Sequence, residues 1–98
     1  MPATFHVYIL KCSDGSYYTG MTANLERRLA EHQHGYDPKA YTHRRRPVAL
    51  VYSEAFADHD DAFRREHQIK AWSRAKKEAL IRGDWEDLQR QAKPRTRK

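Results

Sequence analysis

Residues 5–20, FHVYILKCSDGSYYTG, decide the fold. The first eight are β-branched, aromatic and apolar, which predicts a strand over 5–12. Ser13-Asp14-Gly15 is a turn signal, and 16–20 is the returning strand of a hairpin. Turn length then sets which side chains share a face. A two-residue Asp14-Gly15 loop pairs Leu10 with Thr19 and puts Tyr8 and Tyr18 on opposite faces. A three-residue loop, with Gly15 in the left-handed bulge position, pairs Cys12 with Ser16, Leu10 with Tyr18 and Tyr8 with Gly20. Tyr8 and Tyr18 are then diagonal neighbours on one face, and Gly20 leaves room over the strand. Both registers fit the residues; a type I turn plus bulge suits x-Asp-Gly and favours the second. The tyrosines are either half-buried sheet residues, where tyrosine is common, or the lining of a site.

Outward from the hairpin, Thr22 or Asn24 can cap a helix from about Leu25 to Gln33 or His34, stopped by Gly35. Residues 36–47 are a polar loop punctuated by Pro38 and Pro47. VALVYSEAF, 48–56, predicts a third strand. Asp58 or Asp60 caps a second helix to about Trp72, and Ser73 caps a third that ends before Gly83. Trp85 and Leu88 are expected to fold back and bury apolar area as a last short helix. The expected fold class is α/β of the α+β kind: a small three-stranded antiparallel sheet flanked by helices in ββαβαα order. One domain is expected over 1–88, followed by a basic, disordered tail over 89–98.

The chain of 98 residues carries 19 Lys+Arg against 13 Asp+Glu, a formal charge of +6. That balance favours anionic partners, most often nucleic acid. Cys12 is the only cysteine, so neither an internal disulfide nor a cysteine zinc cluster can form. No apolar run is long enough to span a membrane, and MPATFHVYIL lacks the basic start and cleavage site of a secretory signal. A cytoplasmic location is expected.

Charge also sits where helical periodicity does not call for it. Leu25 and Leu29 mark the buried stripe of the first helix, and Arg28 and His32, four residues apart, fall on its edge. They are either a snorkelling arginine and a solvated histidine, or a pair of phosphate donors. On the second helix Ala62, Phe63 and Ile69 define an apolar arc, and Glu66 lies in its middle. A carboxylate there must be paired or bound to a cation, because burying it alone is costly. Lys70 at i+4 is one partner; a hard cation such as Mg²⁺, completed by waters, is the other. The HRRR run at 43–46 makes a basic loop suited to phosphate, with Lys39, Tyr41, Thr42, Arg44, Arg45 and Arg46 as candidate nucleic-acid contacts. No phosphate-binding glycine loop is present, and the histidines of HQH at 32–34 diverge on a helix, which argues against zinc.

The joint pattern in HVYIL…DGSYYTGMTANLERRLAEHQHG…YTHRRRPVALVYSEAFADHDDAFRREHQIKAWSR resembles the GIY-YIG nuclease superfamily, and most of all its small stand-alone YhbQ-like group. The resemblance covers about residues 5–82. The family's first motif falls on His6-Val7-Tyr8, its second on Tyr18-Thr19-Gly20, and its arginine, histidine and metal-binding glutamate on Arg28, His32 and Glu66. Some members also use an asparagine after the glutamate helix; the only asparagine here is Asn24. The resemblance implies the bulged register, since the family's two tyrosines line one site. It further implies a divalent-metal-dependent endonuclease that hydrolyses phosphodiester bonds in DNA, in repair or in processing unusual DNA structures. Glu66 would hold one Mg²⁺ or Mn²⁺. Tyr8 would be the general base, its pKa lowered by Arg28, His32 and the metal, and Tyr18 would orient water or phosphate. Arg28 would stabilise the transition state, and His32 would hold the scissile phosphate or assist proton transfer. The rival reading is a catalytically weak nucleic-acid-binding module.

Overall fold

The computed structural model describes residues 3–92. Strand β1 (Phe5–Lys11) is central in a three-stranded antiparallel sheet, with β2 (Tyr17–Thr22) on one side and β3 (Ala49–Phe56) on the other. Helix α1 (Leu25–His34) follows β2; α2 (His59–Lys70), α3 (Arg74–Arg82) and α4 (Trp85–Ala92) follow β3. The 36–47 loop carries one 3₁₀ turn at His43–Arg45. The order is the expected one with the short last helix added. That helix runs to Ala92, past the expected domain end at 88; residues 93–98 of the expected tail lie outside the described residues.

The hairpin takes the bulged register. Leu10 pairs with Tyr18 and Tyr8 with Gly20. Cys12 N–H donates to Ser16 O at 2.8 Å, and Gly15, at φ 85°, donates back to Cys12 O at 2.9 Å. Only glycine takes that left-handed position without a Cβ penalty, so Asp14-Gly15 fixes the parity of everything after it. Asp14 Oδ1 accepts from Ser16 N–H and Oγ and completes the turn.

Alternation along β1 then builds two cores. Val7 and Ile9 face α2 and α3, where they meet Ala62, Ile69 and Leu80, with Tyr17, Trp72 and Leu88 packed around them. Tyr8 and Leu10 face the other way, toward Leu25 and Leu29 of α1, Cys12, Val48 and Tyr18. With helices on both faces, β1 is buried on both, and each fully buried aliphatic contributes about 1.5–3 kcal/mol. Asn24, Asp58 and Ser73 cap α1, α2 and α3 through their side chains.

Two expectations about the core on the α2 side are corrected. Phe63 is half-exposed, stacked between His59 and His67 rather than buried. Trp85 stands out in solvent and only Leu88 reaches the core. Both lie on helices whose buried stripe is narrow, and sequence periodicity cannot say which edge a neighbour covers.

Candidate nucleic-acid active site

The α1-facing side of the hairpin gathers an aromatic and polar cluster. Tyr8 Oη lies 3.0 Å from His32 Nε2, and His32 Nδ1 lies 2.8 Å from Thr42 Oγ1. Tyr8 is 1% exposed, His32 8% and Thr42 1%, so this chain of bonds crosses the interior. Tyr18 packs edge-on to His32 at 5.2 Å between ring centroids and lies 6.3 Å from Tyr8. Gly20 makes the packing possible. A Cβ there would sit 2.5 Å from Tyr8 Cζ and 3.1 Å from Tyr18 Cε2, inside contact distance of both rings.

Electrostatics differ from the sequence expectation at Tyr8. Burial pushes its hydroxyl well above the ordinary tyrosine range, and the nearby Tyr18, Glu66 and Glu31 push the same way; Arg28 alone opposes them. His32 is lowered, first by burial and then by the Arg28 guanidinium. A neutral imidazole beside a neutral phenol is therefore the resting state. With the His32 proton on Nδ1 and donated to Thr42, Nε2 accepts from the Tyr8 hydroxyl.

Beside the cluster opens a cleft of about 290 Å³ lined by Tyr18, Arg28, Glu31, His32, Tyr36, Tyr41 and Thr42, among others. Arg28 borders it half-exposed, 3.5 Å from Glu31 Oε1. Tyr8 thus sits behind the wall, and Tyr18, Arg28 and His32 stand in it.

The basic loop folds over the far side. Ser13 N–H donates to Arg45 O at 2.8 Å, and the Arg45 guanidinium reaches Asp14 at 3.0 Å, which ties the loop to the hairpin turn. Tyr41 stacks on Tyr18, while Arg45 lies over the Tyr41 ring at 3.9 Å. Tyr41 is thereby held between the hairpin and its own loop, yet remains 42% exposed. Arg46 is engaged with the carbonyls of His43 and Gln33. Lys39 and Arg44 project outward with no ion pair among the described residues. Thr42, 1% exposed on the wall of the cleft, has its hydroxyl engaged by His32 Nδ1. Its link to His32 carries no signal in the sequence, because the loop between them has no periodicity.

Glu66 lies across the sheet edge on α2, its side chain 13% exposed. Lys70 Nζ is 3.0 Å from Oε2, and His67 Nδ1 is 3.5 Å from Oε1. It is close enough to Tyr8 to raise that hydroxyl's pKa. No group of three or more His, Cys, Asp or Glu could hold a metal among the described residues. A lone, mostly covered carboxylate fits a hard, largely hydrated cation and not zinc, and half-exposed Lys70 is free to turn away.

Comparison with known proteins identifies the family. The profile of the GIY-YIG catalytic domain matches residues 4–79. A UPF0213 protein of Halobacterium salinarum is 53% identical over 76 residues, covering 78% of this chain and 97% of its own. One from Staphylococcus haemolyticus is 51% identical over 79 residues, covering 81% and 95%. The solution NMR structure of a UPF0213 protein from Bacillus halodurans superposes with a TM-score of 0.54 at 38% identity, covering 93% of this chain and 99% of that one. A solution NMR structure from E. faecalis gives 0.59 at 36% identity over 82% and 84%. Profile, relatives and structures converge: the chain belongs to the GIY-YIG catalytic-domain family, among the UPF0213 proteins.

Proposed function

We propose that the protein is a divalent-metal-dependent endonuclease that hydrolyses phosphodiester bonds in DNA. The observation that supports this most is the hydrogen-bonded path Tyr8–His32–Thr42, which meets a cleft edged by Tyr18 and Arg28 at His32. A buried, high-pKa phenol is a poor base by itself. Joined to a neutral imidazole it becomes a relay: Tyr8 takes a proton from the attacking water as it passes its own to His32 Nε2. The water oxygen forms the new bond to phosphorus, the bond to the leaving oxygen breaks, and that oxygen recovers a proton from solvent. His32 thus serves in proton transfer, and Thr42 fixes its orientation. Arg28 meets the charge that builds on the phosphate oxygens. Tyr18, the exposed ring of the pair, meets substrate first and turns aside to admit water to Tyr8. Glu66 would hold the ion, Mg²⁺ or Mn²⁺, which supplies Lewis acidity toward a phosphate oxygen and the leaving alkoxide.

The test is a nicking assay over plain, nicked, flapped and branched DNA with Mg²⁺ and Mn²⁺. Wild-type protein should cut only with metal, and should lose activity as pH falls through the lowered His32 value, since the relay needs a neutral imidazole. Tyr8→Phe and Glu66→Ala should each abolish cutting with DNA affinity kept; cutting by Glu66→Ala at the wild-type rate overturns the metal assignment. One observation favours a second reading, a catalytically silent nucleic-acid-binding module: the Lys70 ammonium already supplies Glu66 with a cation. Salt-sensitive DNA binding with no cleavage on any substrate would select it.

A further inference from the structure

A second groove lies on the opposite side of the Tyr18–Tyr41 ridge from the catalytic cleft. It is lined by Tyr17, Tyr18, Thr19, Tyr41, Lys70 and Lys77. Its chemistry is unusual for a surface groove. The Lys77 ammonium has no carboxylate partner and no hydrogen bond among the described residues, and it is partly covered, with burial pushing its pKa down. Thr19 is 3% exposed, and its hydroxyl has no hydrogen-bond partner in the interior. A half-covered cation with no counter-charge is costly in a free protein, and that cost falls when an anionic oxygen enters the groove.

We propose that this groove seats a phosphate of the substrate strand next to the one being cut, with Lys77 as its principal ligand and Lys70 beside it. The position follows from the shared wall. Tyr18 and Tyr41 line both cavities, so a strand crossing the ridge from the Arg28 side runs directly onto Lys70 and Lys77. Lys70 also contacts Glu66 at 3.0 Å, so its ammonium stands between groove and carboxylate and is released to the strand when Glu66 takes a metal. Lys76, one residue away, is a ready control: its ammonium lies 4.3 Å over the Trp72 ring and does not line the groove.

The inference rests on the nucleic-acid reading of the site but not on cleavage, and the experiment keeps them apart. Binding of a fluorescent single-stranded oligonucleotide is measured by anisotropy in EDTA over ~50–200 mM salt for wild type, Lys77→Gln and Lys76→Gln. The two variants lose the same charge. Losing one phosphate contact lowers the log–log salt slope by about 0.7, so wild-type affinity should fall between those salts by about threefold more than that of Lys77→Gln. Lys76→Gln should keep the wild-type slope. Amide shifts at 19 and 77 on titration with unlabelled oligonucleotide report the groove directly. Equal slopes for the two variants with no shift at 19 and 77, or no oligonucleotide binding by wild type, overturn the proposal. Binding that depends on Lys77 without cleavage under any metal supports it while removing the nuclease reading.

Discussion

Adding one methyl group at Gly20 tests the geometry of the site. The Gly20 backbone is not left-handed, so Gly20→Ala costs nothing in φ and should gain about 0.5–1 kcal/mol of strand propensity. Against that gain, the new Cβ lies 2.5 Å from Tyr8 Cζ and 3.1 Å from Tyr18 Cε2. Tyr8 cannot yield freely, because it is buried and bonded to His32 at 3.0 Å. Overpacking of this kind costs about 1–3 kcal/mol, and displacing the phenol loses a buried hydrogen bond worth about 1 kcal/mol more. The net loss is about 1–3 kcal/mol, or about 5–20 °C in Tm for a domain of this size. Thermal unfolding by circular dichroism reads it. Repeating the change in a Tyr8→Phe background supplies the control. The hydroxyl that meets the methyl is then gone, and Gly20→Ala should cost about 1 kcal/mol less. An unchanged Tm, or the same cost in both backgrounds, would refute the claim that Gly20 exists to seat Tyr8.

Thr42→Val should leave His32 Nδ1 unpaired in the interior and cost about 1–3 kcal/mol by chemical denaturation, while Thr42→Ser retains most of the stability. His32 should titrate below its ordinary value of about 6.5 by NMR, and Arg28→Gln should move it part of the way back up, since the guanidinium is its second cause. Because the unfolded chain binds the His32 proton more readily than the folded one, this residue's contribution to stability is present above about pH 6.5. It is lost as pH falls through the lowered folded pKa. Tyr8 acts with the opposite sign at the alkaline end: its contribution is present below about pH 10 and is lost as pH rises through the raised folded value.

The parts of the fold legible in the sequence were those governed by local chemistry. Asp14-Gly15 announced the bulge, and through it the pairing of Tyr8 with Gly20. Asn24, Asp58 and Ser73 announced three helix starts. Glu66 stood out because a carboxylate on an apolar arc demands a partner, and the structure gives it Lys70 and His67. What stayed hidden depends on segments distant in sequence coming together. Nothing near Thr42 says that it meets His32, and nothing near Tyr41 says that Tyr18 and Arg45 pack on its ring. The direction of the Tyr8 shift was hidden for the same reason. Counting nearby positive charges points downward, whereas the actual packing makes desolvation the larger effect.

Strand β1 is buried on both faces and hydrogen-bonded along both edges, with Tyr8 at its middle. Amides in such a strand exchange with solvent only when the whole domain opens. The hydrogen bond from Tyr8 to His32 therefore belongs to the last unit to come apart, unlike contacts carried on mobile loops. Titrated with denaturant, the protein should hold its Tyr8–His32 contact unchanged up to the global transition and lose it in the same cooperative step. Slowed exchange at the Tyr8 amide and loss of the site would then report one event.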